Sequence, residues 1–197
     1  MPTNAQSKSD DLNAIEMLME DHKKVQKMFR DFEKLDPEDT EACRELVSEA
    51  CTEVKVHSML EKEIFYPAVR DQADDEKIED TLNEAEVEHA AVDELVEKLE
   101  GMDASDRMYS AHFTVLAEYV RHHIKEEEKE MFPGVKRMKS LDLQALAQEM
   151  QVRKDELMGE FGGETSGGQE DMALEEPEQD EEATSEEEEE EPTHRRR

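Results

Sequence analysis

The chain of 197 residues contains no tryptophan, three tyrosines and six phenylalanines. That leaves too few aromatic faces for a base-stacking nucleic-acid platform. Positive charge is also scarce: 24 basic residues stand against 56 acidic ones, for a net charge of -32. Polyanions, meaning nucleic acid and anionic membrane surfaces, are therefore poor partners on charge grounds. Cysteine is limited to Cys43 and Cys51, eight apart on one predicted helix. Eight helical residues rise about 12 Å, too far for a disulfide within that helix. The N-terminal MPTNAQSKSD has no apolar core of a signal peptide, and no long apolar run follows. These absences set the expectation of a chain kept in a reducing cytoplasm, with no membrane span.

What the chain has in abundance is charge, at 41% of residues, against 35% apolar. It cannot be one dense core, and its length suits one domain with appendages. Residues 1–9 read as a flexible lead and residues 10–158 as the domain. Residues 159–197 read as a disordered acidic tail, since Glu160 to Arg197 holds sixteen acidic and three basic residues and too little apolar surface to fold alone.

Within the domain, apolar residues recur at alternating spacings of three and four, the mark of amphipathic helices. The first helix is expected from Asp10 to Leu35, with Ile15, Leu18, His22, Val25, Phe29 and Phe32 on one stripe. In the second, Asp36 suits an N-cap and Pro37 the first helical position, and the stripe is Leu46, Ala50, Val54, His57, Glu61 and Ile64. The third runs from Asp74 to Glu100 with His89 on its stripe, and Gly101 as its stop. The fourth starts near Asp103 or Ser105 and carries Phe113, Leu116, Val120, His123, Glu127 and Met131. A short fifth helix is expected from Ser140, as N-cap, to Met158. No stretch alternates as a strand would. The expected fold is all-α: an up-down-up-down antiparallel four-helix bundle with a short fifth C-terminal helix and the acidic tail.

Two stretches repeat each other. His57-x-x-x-Glu61 is followed by Pro67, and His123-x-x-x-Glu127 by Pro133; an aromatic precedes each proline, in EIFYP and KEMFP. A further histidine lies upstream of each copy, His22 and His89. An interior proline would kink or stop a helix at both places. A His and a Glu four apart share one helix face. All six polar residues fall on apolar stripes, where they cost stability unless paired or bound to metal. A single histidine there reads as an ordinary core residue, and His57 with Glu61 could be a plain i, i+4 pair. Convergence of four His and two Glu from four stripes instead points to a dinuclear metal site. His122, with Glu126 four residues on, lies about 100° around the helix from His123; both the proline register and the stripe favour His123 with Glu127. His112 reads as a surface residue or a neighbour of the ligands, and His194 belongs to the tail. No cysteine lies on the ligand stripes, which argues against a structural thiolate zinc site. Imidazole with carboxylate suits iron, with manganese as the alternative.

These residues (His22, His57 to Glu61 with EIFYP, Glu88-His89, and His123 to Glu127 with KEMFP) resemble the hemerythrin-like, HHE cation-binding domain family. The resemblance runs from about Leu12 to Met158. It implies that His22 and His57 bind one iron, His89 and His123 the other, with Glu61 and Glu127 and an oxo or hydroxo group as bridges. It departs in two places: Asp93 stands where the family's oxygen carriers have a further histidine, and the second Glu follows His123 by four residues where they have an Asp at five. Both departures point away from classical reversible oxygen carriage. Asp93 is expected to face water and to steady His89. A ferritin-like di-iron bundle needs paired Glu-x-x-His motifs, and Glu86-x-x-His89 is a single copy.

The expected function is a non-haem di-iron protein that binds or senses dioxygen or a related small oxidant, or stores iron. The alternatives are an enzyme consuming peroxide or nitric oxide at the same centre, and an interaction module working through the acidic tail with a structural metal. The expected partners are a small diatomic or peroxide ligand and, through the tail, a protein; no nucleic acid and no membrane.

Overall fold

The computed structural model describes residues 12–162. The predicted lead and nearly all of the predicted tail lie outside the described residues. Helix α1 spans Ala14–Phe32 and α2 spans Thr40–Leu60. The second continues through a π-helical turn, Glu61–Phe65, into α3, Tyr66–Gln72. Helix α4 spans Glu76–Glu100. Helix α5, Tyr109–Glu126, likewise continues through a π turn, Glu127–Met131, into α6, Phe132–Val135. Helix α7 spans Leu143–Phe161. The all-helical bundle expected from the sequence is the fold observed. Helix α1 packs on α2 and α5, and α4 on α2 and α5, which closes the ring; α7 lies against α1 and α2.

The helix starts differ from the expected ones because several Asp and Asn side chains compete to cap. Helix α1 starts at a capping box. Asn13 Oδ1 accepts from the Ile15 and Glu16 amides, and the Glu16 carboxylate accepts from the Asn13 amide. Asp36 does not cap α2; its carboxylate accepts from the Glu38 amide in a turn around Pro37, and Asp39 caps the helix by accepting from Ala42. Asp103 and Asp106 likewise spend their carboxylates on the amides of Ser105 and Met108, and their successive turns delay α5 until Tyr109. Asp142, in place of Ser140, caps α7. That helix has 19 residues, as many as α1, and lies about three residues further along the chain than expected.

The prolines do not stop their helices. The Tyr66 amide donates to the Glu61 carbonyl and the Phe132 amide to the Glu127 carbonyl, each spanning five residues instead of four. Pro67 and Pro133 come next; each lacks an N–H, and its ring crowds the carbonyl four residues back. One widened turn accommodates the ring and lets the helix run on. Both widened turns begin at the glutamate of the repeated motif.

The core divides into two apolar clusters. One holds Ile15, Leu18, Leu60, Phe65, Leu82 and Phe132. The other holds Phe29, Val54, Val92, Phe113, Leu116 and Val120. Between Leu18 and Val25, Val54 and Leu60, Ala85 and Val92, and Val120 and Met131 stand the four histidines of the predicted site, as a polar layer between the clusters.

Candidate metal centre

Each helical rod contributes one imidazole to this layer, and the rods of α2 and α5 add a glutamate each. His22, Glu61, His89, His123 and Glu127 are buried, and His57 is 14% exposed. His57 Nε2 lies 3.2 Å from Glu61 Oε1, and His89 Nε2 lies 3.3 Å from Glu61 Oε2. His22 Nε2 lies 3.2 Å and His123 Nε2 3.5 Å from one oxygen, Glu127 Oε2. His89 Nε2 and His123 Nε2 are 2.9 Å apart. The six residues fall into two overlapping groups, His22, His57, Glu61 and Glu127 against Glu61, His89 and His123. Glu61 thus turns one oxygen to each histidine pair, while Glu127 turns a single oxygen to a member of each.

The donors are set for cations. His22 Nε2, His57 Nε2, both oxygens of Glu61 and Glu127 Oε2 are buried without a hydrogen-bond partner among the described residues. They face one another at ion-pair distances of 3.2–3.3 Å without forming hydrogen bonds, and buried polar atoms so placed are costly unless a proton or a cation is held between them. Nitrogens bound to one cation at ~2.1 Å and at right angles stand ~3.0 Å apart, close to the spacing of His89 and His123.

Outer carboxylates hold two of the rings and a third carboxylate stands near His57, and sequence reasoning gave none of them this role. Glu128 lies 3.0 Å from His22 Nδ1, Glu88 lies 2.8 Å from His123 Nδ1, and Asp21 lies 3.7 Å from His57 Nδ1. A carboxylate on the far nitrogen fixes the tautomer and turns Nε2 inward. Asp21 is shared with Lys154 of α7, which holds it more closely. Neither His57 Nδ1 nor His89 Nδ1 has a hydrogen-bond partner among the described residues. Tyr66, the aromatic of EIFYP, donates its hydroxyl to Glu127 Oε1 at 3.0 Å, leaving only Oε2 of that carboxylate for the histidines. It also stacks on His89 as Phe132, its counterpart in the second copy, stacks on His22.

Burial opposes charge on His57, but the Glu61 and Asp21 carboxylates outweigh it and push the imidazole up to about 10. Burial likewise works against His123 and is overcome by Glu127, Glu61 and Glu88, so this ring also lies well above its ordinary value. Glu61 is held well below the usual carboxylate range in spite of burial, by His57 and then His123 and His89. Burial and the neighbouring carboxylates raise the Tyr66 phenol well above its usual range. A cation entering here must displace protons from imidazoles that hold them firmly.

The remaining predicted residues fall outside the layer. Asp93 faces water as expected but pairs with Lys62 at 2.7 Å and makes no recorded bond to His89. Its carboxylate prefers the ammonium ion one helix away. His122 is 58% exposed and lies 3.2 Å from Glu126 and 3.5 Å from Glu88. His112 bonds the Met108 carbonyl, away from the core, and His194 lies outside the described residues. Glu86 pairs with Arg70 on the surface, so the ferritin-like pattern has no geometric counterpart.

Among known proteins, a hemerythrin HHE cation-binding domain-containing protein from Mycobacterium kansasii has a similar structure. The TM-score is 0.63 at 23% identity, covering 76% of this chain and 89% of that one. A curated relative titled DNA nickase, from Nostoc sp., is 22% identical over 165 residues. The match takes in 82% of this chain and 44% of that protein, so the chain spans less than half of that relative's length. The model of the hemerythrin HHE cation-binding domain matches residues 13–135, a segment that holds all six inward-facing ligand candidates and most of the chain, and the chain belongs to that family.

Proposed function

We propose that the polar layer holds two iron ions, one between His22 and His57 and one between His89 and His123, with Glu61 and Glu127 shared. The centre binds a small oxidant of the dioxygen or peroxide class. The observation that supports this most is the set of buried, unpartnered donors: His22 Nε2, His57 Nε2, both Glu61 oxygens and Glu127 Oε2. Imidazole with carboxylate suits iron, and manganese fits less well with four nitrogens. Two histidines and shared carboxylates leave each ion short of a full set of protein ligands, so a small molecule can complete it. When bound, iron supplies reversible one-electron chemistry at that open position. The chain itself supplies the rest. Glu128 and Glu88 fix two of the rings, Tyr66 fixes Glu127, and two apolar clusters keep bulk water from the layer.

The Nostoc relative's title concerns DNA, but a chain of net charge -32 has little to offer a phosphate backbone, and we assign no nucleic-acid or membrane contact to it. A protein partner for the acidic segment after Phe161 is a separate reading, tested by whether truncation there abolishes a captured partner while metal content is kept.

The test is metal analysis with visible spectra of the reduced, iron-loaded protein without oxygen, after oxygen and after purging. Two irons per chain and an oxygen-dependent absorption band are expected. A band that vanishes on purging marks reversible binding; one that persists marks oxidation. One iron or none, or no spectral response, overturns the reading.

A further inference from the structure

A cleft of about 360 Å³ opens between α2, the end of α4, the start of α5 and the end of α7. None of the six inward ligand candidates lines it, and Leu99 stands about 15 Å along α4 from His89. Small-molecule sites begin at about 300 Å³ and pair an apolar lining with a few placed polar groups. Both features are present. Val47, Cys51 and Leu99, all buried, and the half-buried Met102 and Phe161 form the apolar lining.

The polar lining is made of donors. Arg44, Ser48, Thr52, Lys55 and Tyr109 each bring an N–H or O–H, and Glu100 is the single carboxylate among the described lining residues. That bias runs against a chain with 56 acidic and 24 basic residues. The donors are not equally free. Lys55 is held by Glu100 at 2.9 Å and lies over the Phe161 ring. Tyr109 is 4% exposed, yet its hydroxyl has no recorded hydrogen-bond partner among the described residues, a costly state for a buried donor. Burial and then Cys51 push this phenol up to about 12 while Arg44 pulls it down, so the hydroxyl keeps its proton and stands near the guanidinium. Helix α5 begins at Tyr109 without a side-chain cap, which adds the positive end of its dipole. Arg44 is spent only on Glu41 one turn back, an exposed pair of the kind worth little. Its planar fork suits a carboxylate taken with two hydrogen bonds.

We infer that this cleft binds a small organic carboxylate with an apolar body. The head accepts from the Arg44 guanidinium and the Tyr109 hydroxyl, and the body lies along Val47, Leu99 and Met102. An inorganic anion would leave the apolar lining unfilled, and a neutral hydrocarbon would leave the buried hydroxyl unpaired. The site is separate from the dinuclear centre and does not depend on that reading.

The test titrates the full chain, metal-free and iron-loaded, with octanoate and with 1-octanol, which has the same carbon chain and no charge. The heat of binding is read for wild type, Arg44→Gln, Tyr109→Phe and Ser48→Phe. Wild type should bind one octanoate per chain with a Kd of roughly a millimolar or tighter, equally in both forms, and octanol about tenfold more weakly. Arg44→Gln should weaken octanoate roughly tenfold and leave octanol within about threefold. Tyr109→Phe keeps the ring and its packing and should weaken octanoate severalfold. Ser48→Phe fills the cleft and should abolish both. Octanol as tight as octanoate, equal octanoate affinity in wild type and Arg44→Gln, or unchanged octanoate affinity in Ser48→Phe would each overturn the inference. So would a wild type that binds no octanoate at millimolar concentration. Octanoate binding confined to the iron-loaded form would also overturn it, since the carboxylate would then sit on the metal.

Discussion

Among the described residues, Glu61 is the carboxylate whose two oxygens face different histidine pairs. Replacing it with alanine should release the metal and, by leaving His57 and His89 without their charge partner, destabilise the fold by about 3–5 kcal/mol, the range for breaking a buried pair. Metal content and a thermal melt on Glu61→Ala check this, with His122→Ala and Glu126→Ala as controls. Those two variants should keep full metal content and change stability by less than about 1 kcal/mol. A control that loses metal as Glu61→Ala does would mean that the outer group of Glu88, His122 and Glu126 is the working site. Tyr66 makes a finer prediction. Tyr66→Phe removes the hydroxyl on Glu127 Oε1 and matches the Phe132 of the second copy, so the fold should persist. Glu127 becomes free to present both oxygens, and the visible spectrum of the iron-loaded protein should shift; an unchanged spectrum would show that the hydroxyl does not govern the carboxylate. The six inward residues were legible because histidine and glutamate on an apolar stripe conflict with their position. Asp21, Glu88 and Glu128 were not, because in a chain with 56 acidic residues a carboxylate one residue off the stripe, about 100° around the helix, looks like any solvated acid. Only the folded rods show that it meets a ring nitrogen.

At the level of elements, the period of apolar residues fixed which helices exist and which face they bury, and the alternation of short connections fixed the bundle. Helix starts were poorly legible: near Pro37, and again from Asp103 to Met108, several capping side chains stand within a few residues, and which one caps depends on tertiary packing. The π turns carry a sequence signal in the repeated proline, but a proline alone reads equally as a stop or a kink. Helix α7 lies beyond the segment matched to the family yet reaches the centre. Lys154 holds Asp21 beside His57, while Arg153 pairs with Glu63 at 2.7 Å nearer the surface. Lys154→Met leaves Asp21 buried with a looser partner and should cost a few kcal/mol; Arg153→Met should cost less than about 1 kcal/mol. Paired chemical-denaturation curves decide it, and equal losses would mean that α7 is held by its apolar face alone.

Across the whole molecule, protons and cations compete for one layer, and the two forms of the protein should therefore respond to pH in opposite directions. In the metal-free chain His57 is raised from 6.5 to about 10. Its contribution to stability is complete below about pH 6.5 and is lost as the pH climbs through about 10. Asp21 is lowered from 3.8 by His57 and then Lys154, against the effect of burial, so its contribution is present above that value and lost in acid. The metal-free melting temperature should therefore be highest in the mildly acidic range and fall toward pH 10, and His57→Gln should flatten that fall. In the loaded protein the imidazoles must be unprotonated, and stabilisation follows the ratio of free cation to its dissociation constant. Its melting temperature should rise from pH 5 to pH 8, where the metal-free form is already declining. Melts of both forms across that range would reveal crossing trends. Parallel trends would mean that cations do not displace protons from these imidazoles, and so that the histidine layer is not where the metal sits.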